Sequence, residues 1–221
     1  MEFSFPLVVE ILPLLLEATV VTIQATIAGF TLSVLFGAVL AALVRSRSAA
    51  IRGAARFVME FFRATPLLVQ LYFLFFVLPS AGIVLPPFAT GVLALGLHYG
   101  AYASEAYRAG LEAVPRGQWE AAVALNYPRW TMYRHVILPQ ALPPVVPSLG
   151  NIFIAMLKDT PVLSAVTVTE LMFVANEIGS ERFQYTEPIM TAAVIYLALS
   201  LVATAFIQLV ERHLKTAGER A

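Results

Sequence analysis

The sequence predicts an all-α integral membrane protein with five transmembrane helices, its N-terminus outside and its C-terminus in the cytoplasm. Two observations carry that reading. Of the 221 residues 59% are hydrophobic and only 13% charged, against about 25% charged in an average soluble domain. The charges are also segregated, because residues 18–44, 64–104, 135–157 and 188–210 contain no Asp, Glu, Lys or Arg, and about 20 apolar residues of helix cross a bilayer. Disorder and collagen-like chains are excluded by this composition. With no cysteine, disulfides, thiolate metal sites and Cys nucleophiles are excluded too.

Residues 1–18 are apolar, hold Glu2, Glu10 and Glu17, and lack the basic start of a signal peptide. They read either as an outer-side interfacial segment shaped by Pro6 and Pro13 or as a frayed hydrophobic terminus. The first span covers 19–44. Arg45, Arg47, Arg52 and Arg56 follow without an acid, and basic linkers of this kind stay in the cytoplasm. Pro79, Gly82, Pro86 and Pro87 divide the next long apolar stretch into spans at 57–78 and 88–108. A loop containing Arg108, Arg116, Arg129 and Arg134 returns the chain to the cytoplasmic side before the fourth span at 143–163. Residues 164–178 alternate Val166, Leu171, Val174 and Ile178 with Thr167, Glu170 and Glu177 at helical spacing, which predicts an amphipathic helix on the outer surface. The fifth span, 189–210, ends before a cytoplasmic tail, 211–221, containing Arg212, Lys215 and Arg220. Residues 19–210 thus form one transmembrane domain.

Ionisable groups inside a bilayer are costly, so each is a candidate for function. Glu60 with Arg63, Glu105 with Arg108 and Glu112 with Arg116 stand three or four residues apart, the spacing of structural pairs on one helix face. Lys158 and Asp159 lie about 15 residues into the fourth span and are followed by Thr160-Pro161. A broken, charged helix is tolerated where it lines a cavity; the competing reading is a helix end with Lys158 reaching the interface. A zwitterionic solute would find both signs of charge here. His98 sits between Gly96 and Gly100, a spacing that favours close helix packing over direct solute contact. Thr19, Thr22 and Thr26 share one face of the first helix and suggest interhelical hydrogen bonds. The three histidines lack metal-ligand spacing, and no phosphate-binding loop or hydrolase motif is present. The chain reads as neither an enzyme nor a nucleic-acid binder, and it binds no cofactor of its own.

In the loop of about 110–140, Gln118 to Leu125 read as a short helix opened by Pro115 and Gly117. Asn126 is placed to end it in the left-handed conformation, and Pro128 forbids continuation. Trp119, Ala122, Val123 and Leu125 are its apolar residues. A short helix projecting from a membrane domain suits docking against a soluble subunit.

Glu120-Ala121-Ala122, followed at a distance by Ile137-Leu138-Pro139, resembles the Glu-Ala-Ala loop of the permease subunits of bacterial ATP-binding cassette (ABC) importers, specifically those for polar amino acids. Asn126 stands where that family usually has Gly. Phe62-Arg63-Ala64-Thr65-Pro66-Leu67-Leu68-Val69-Gln70, Ala101-Tyr102 with Glu105, Gly117-Gln118 and Leu157-Lys158-Asp159-Thr160 extend the likeness over about residues 15–210. The resemblance implies an inner-membrane permease whose coupling loop, including Gly117, Glu120, Ala121, Ala122, Asn126, Ile137, Leu138 and Pro139, is gripped by separate ATPase subunits that hold ATP and Mg. It implies a second permease chain, identical or sister, and an extracytoplasmic solute-binding protein. The solute path would involve His98, Glu105, Lys158, Asp159 and Thr160. Pro161 stands where many relatives have Ser. With Glu181-Arg182-Phe183 and Tyr185-Thr186-Glu187-Pro188, the chain is similar to importers assigned to ectoine, a cyclic amino-acid derivative. The alternative, a stand-alone ion-coupled carrier or channel, would be expected to show inverted repeats, and none is evident.

Overall fold

A computed structural model describes residues 3–218, with side chains through Arg212. Glu2, Arg220 and the side chain of Lys215, all used above for orientation, lie outside the described part. No strand occurs among the described residues.

Helix α1 runs unbroken over Phe5–Val44, 40 residues. At about 1.5 Å per residue it is roughly 60 Å long, twice the thickness of a bilayer core. Residues 5–18, expected as an outer-side interfacial segment, continue the helix of the first span without a break. The reason is packing: Leu7, Ile11 and Leu15 are buried against Leu171, Ala175, Ile178 and Ala192. The Ser4 N–H donates to Glu187 Oε1 at 2.8 Å, and Arg182 pairs with Glu10.

The expected span 57–78 is not one helix. Helix α2 (Ala49–Ala64) and the next helical run, Leu67–Ala81, meet at 106°. That run opens as α3 (Leu67–Tyr72), then passes through a π turn at Phe73–Val77 and a 3-10 turn at Leu78–Ala81. The break falls at Thr65-Pro66, because a residue before proline favours extended backbone, and Thr65 has φ −101 and ψ 139. Gln70 secures the elbow, its Nε2 donating to Phe62 O at 2.9 Å and Thr65 O at 3.0 Å, carbonyls that the end of α2 would leave open.

Helix α4 (Pro87–Ala113) is central and packs mainly on α1. A Cβ at Gly37 would come within 2.7 Å of Ala103 Cβ and 2.8 Å of Gly100 O, and one at Gly100 within 2.7 Å of Phe36. The Gly96 and Gly100 groove expected from spacing is thus filled by α1. After α5 (Arg116–Ala124) and α6 (Arg129–Met132), a π turn at Tyr133–Ile137 leads into α7 (Leu138–Asp159). The fourth helix accordingly begins before the expected residue 143. A 3-10 turn, Thr160–Val166, follows. The amphipathic helix expected from 164 starts later, as α8 (Leu171–Arg182), because Thr167 takes a left-handed φ of 60 and Glu170 caps Phe173 N–H. Helix α9 spans Thr186–Gly218 without a break at 210.

Phe5–Val44, Arg129–Val166 and Thr186–Arg212 are long and apolar enough to cross a membrane, and the bent pair gives a fourth candidate. Helix α4, 27 residues long, is not counted among them. Its glycines, tyrosines, His98 and Glu105 suit contact with α1 and α7 better than lipid.

Candidate functional site

Two regions carry the residues singled out by sequence. The first is α5. Asn126 has φ 53, the Tyr127 N–H donates to Ala122 O at 3.1 Å, and the Asn126 N–H donates to Val123 O at 2.9 Å. This pair of bonds is the Schellman closure of a helix end, as the position before Pro128 leads one to expect. One face of α5 is seated: Ala122 is buried with Val114, Met132, Ile137 and Ala141, and the Trp119 ring stands edge-on to Tyr133 at 5.6 Å. Arg45, just past α1, lies 5.6 Å from the centre of the Trp119 ring, a cation–π contact. The other face is open, with Val123 and Leu125 each 65% exposed. Gly117, Glu120, Ala121 and Asn126 are exposed as well. Ile137 is fully buried beneath the helix, Leu138 is partly open, and Pro139 sits in the first turn of α7. The motif residues thus divide into an anchor (Ala122, Ile137) and an open edge (Glu120, Ala121, Asn126).

The second region is the junction of α4, α7 and the turn that follows. Lys158 and Asp159 lie at the last turn of α7 and point apart. Lys158 is exposed, while Asp159 accepts the Tyr99 hydroxyl at 2.6 Å. Thr160 is buried, donates to Leu157 O and lies 3.4 Å from the Tyr196 hydroxyl. His98 sits on the same turn as Tyr99, its Nδ1 3.1 Å from Gln70 Nε2 and its ring 5.4 Å from that of Tyr102. The structure therefore gathers His98, Tyr99, Tyr102 and Asp159. Glu105 adjoins this cluster through Arg63, which lies 5.7 Å from the centre of the Tyr102 ring, and is part of an ion chain running Glu60, Arg63, Glu105, Arg108, Glu112. The expected pairs at 60 and 63 and at 105 and 108 form; Glu112, however, joins Arg108 at 2.7 Å rather than Arg116. Arg108, four residues earlier, is held in place by its contact with Glu105.

Tyr99 and Tyr196 were not singled out by sequence, and Gln70 and Glu170 entered only as members of a motif and of an amphipathic pattern. Glu170 is fully buried, its Oε1 accepting Phe173 N–H and its Oε2 the Tyr196 hydroxyl. Burial pushes its carboxyl above the ordinary value, against these hydrogen bonds, which lower it. Thr22 accepts the Leu171 N–H at 3.1 Å, so of the three threonines expected to bond between helices, Thr22 does. Thr19 and Thr26 bond to carbonyls of their own helix. A lone Glu after a Thr-rich stretch reads from sequence as surface, and only the return of α9 onto α1 buries it.

Residues 33–216 match the family model described as binding-protein-dependent transport system inner membrane component. The chain is 45% identical over 210 residues to a Sinorhizobium fredii protein named probable amino-acid ABC transporter permease protein y4tG, covering 95% of this chain and 91% of that one. It is 33% identical over 217 residues to the arginine transport system permease protein ArtQ of Bacillus subtilis, covering 98% and 99%. A crystal structure described as an amino acid ABC transporter with histidines superposes with a TM-score of 0.90 at 36% identity, covering 96% of this chain and all of the other. The inward-facing methionine ABC transporter MetNI, 18% identical with a TM-score of 0.72 over 96% of this chain, shares the fold.

Proposed function

This chain belongs to the family of binding-protein-dependent transport system inner membrane components, and from that premise we propose that it is the pathway-forming permease subunit of an ABC importer for a polar amino acid or an amino-acid derivative. The observation that carries the reading is α5: a helix seated on Ile137 by Ala122 and Trp119, with Val123 and Leu125 left open. A helix anchored on one face and apolar on the other transmits a push as a rigid body, which is what a separate ATPase, holding ATP and Mg, requires of a permease. Glu120 and Asn126 frame that open edge.

In this proposal α4 and the bent α2 and α3 pair complete five spans, the N-terminus lies outside and the tail inside, in agreement with the arginines at 45, 47, 52 and 56. A second permease chain supplies the other wall of the path. An extracytoplasmic binding protein delivers solute. His98, Asp159 and Lys158 line the path, with Thr160 buried behind them and Tyr99 holding Asp159; a carboxylate and an ammonium placed apart suit the two charges of an amino acid. Glu105, held by Arg63 and Arg108, borders the same face of α4. Ectoine, which also carries both charges, is a candidate cargo.

The test is reconstitution of the chain with its ATPase and binding protein in liposomes, followed by uptake of labelled amino acids and ectoine. ATP-dependent uptake that requires the binding protein supports the reading. Uptake by the chain alone under an ion gradient overturns it.

A further inference from the structure

A helix inside a membrane domain turns its polar residues toward the bundle or toward water rather than toward lipid. On α4 the buried residues Gly96, Gly100 and Ala103 face α1. A second stripe, His98, Tyr102, Glu105, Ala109 and Glu112, recurs every three or four residues and stays half-exposed to exposed. It leads from the Tyr99 and Asp159 contact toward the end of α4 that carries α5.

Two arginines border this stripe, and their donors are used very differently. Arg108 is engaged at all three nitrogens: Nε and Nη2 donate to Glu105 Oε2 at 2.9 and 2.6 Å, and Nη1 donates to the two Glu112 oxygens at 2.8 and 2.7 Å. Arg63 is not. Only its Nη1 has acceptors, Glu60 Oε1 at 3.3 Å and Glu105 Oε1 at 3.5 Å, both longer than the roughly 2.7–2.9 Å of a good charge-assisted bond. Glu105 is already claimed by Arg108, and Glu60 is 63% exposed, so neither contact holds Arg63 tightly. Its Nε is enclosed, whereas Nη2, also without a partner, is the open donor of a side chain that is 34% exposed. The Tyr102 ring, 5.7 Å from Cζ, fixes the plane of the guanidinium.

Resting on the reading of the chain as a pathway-forming permease, we infer that Arg63 and Glu60 form a second solute station, beyond Asp159 in the direction of α5, where Arg63 Nη2 takes the α-carboxylate of the amino acid and Glu60 its ammonium. The pair fits a zwitterion because its two charges are in contact, at 3.3 Å, whereas Lys158 and Asp159 point apart. A planar guanidinium is also the side chain that best matches a carboxylate. The groups recognised are common to all amino acids, so this station holds the backbone of the solute and leaves its side chain unread. Glu60 and Glu105 lie close enough to repel the carboxylate that Arg63 attracts, which keeps the hold weak and the release quick.

The test is arginine modification by phenylglyoxal in the assembled transporter, held in phosphatidylcholine nanodiscs, with adducts at Arg63 and Arg108 quantified by mass spectrometry. The probes are glutamine, a polar amino acid, and glutaminamide, which lacks only the α-carboxylate. Glutamine at high concentration is expected to slow modification of Arg63, and glutaminamide to protect about tenfold less well, the scale of a hydrogen bond to a charged group. Arg108, already engaged, should respond to neither. In the reconstituted system Arg63→Gln should slow uptake about tenfold on the same scale, and Arg63→Lys, which keeps the charge, should recover part of it. Because Arg63→Gln also breaks the ion chain, the protection ratio in the unaltered protein stands independently of that variant. Equal protection by the two probes overturns the inference. So does an Arg63 that phenylglyoxal does not reach, which would put a second copy over it, or shielding by phosphatidylglycerol with no response to glutamine, which would assign it to a lipid phosphate. The measurement uses neither ATP nor a binding protein. ATP-dependent uptake without protection therefore sinks this inference alone, and protection together with uptake driven by an ion gradient sinks the importer reading alone.

Discussion

The Tyr99 hydroxyl donates to Asp159 Oδ2 at 2.6 Å, joining the middle of α4 to the last residue of α7. A carboxylate that accepts one hydroxyl keeps further lone pairs for a second donor. The contact therefore positions Asp159 without saturating it. Tyr99→Phe is expected to raise the KM for uptake by about tenfold, the scale of a hydrogen bond to a charged group, while membrane levels hold. Asp159→Asn should change affinity or selectivity more strongly still. If uptake by both variants falls only in proportion to their abundance, Asp159 is a packing residue.

The open edge and the anchored face of α5 make opposite predictions for two motif residues. Glu120 is exposed, so Glu120→Lys should leave folding and membrane level intact while abolishing ATP-driven uptake. Ile137 is fully buried under Ala122, and Ile137→Ala should cost about 2–5 kcal/mol through the cavity it leaves, lowering both Tm and coupling. Normal uptake by Glu120→Lys would sink the coupling role.

Much of this was legible beforehand, and the reasons differ by residue. Asn126 was readable because a helix followed by Pro128 leaves few backbone choices, and Gly96 with Gly100 because a bare helix face needs a neighbour. The bend at Thr65-Pro66 was hidden by apolar residues on both sides, which read as one continuous span. Its stabilising residue, Gln70, is a side chain whose role depends on carbonyls five and eight residues earlier. The partner of Glu112 was ambiguous because arginines stand four residues away in both directions. Lys158 and Asp159 were recognisable as unusual, but the Tyr99 contact requires α4 and α7 to meet, and no local pattern reports that.

Two glycines that look alike in sequence should respond in opposite senses. At Gly37 a new Cβ would press on Ala103 and on the backbone oxygen of Gly100, so Gly37→Ala should separate α1 from α4 and cost about 1–3 kcal/mol. At Gly53, inside α2, no atom lies within 4 Å of the new carbon, and Gly53→Ala should gain up to about 1 kcal/mol of helix stability. Thermal unfolding in detergent reads both. Equal shifts would show that α1 and α4 do not depend on this approach.

Glu170 gives the fold a dependence on pH. Its carboxyl is raised above the ordinary value of 4.5 by burial, so the folded protein holds a proton that the unfolded chain releases. Between the two values the native state binds more protons, and stability falls as pH rises. The contribution is fully present below pH 4.5 and is lost as pH climbs through the raised value. Glu170→Gln keeps one acceptor for the Phe173 N–H, turns an amide N–H toward the Tyr196 hydroxyl oxygen, and cannot ionise. Its Tm should be less sensitive to pH in that window, with the unaltered protein declining relative to it as pH increases. Parallel curves for the two proteins would mean that Glu170 titrates as an ordinary exposed carboxylate, and that Tyr196 and Phe173 do not enclose it.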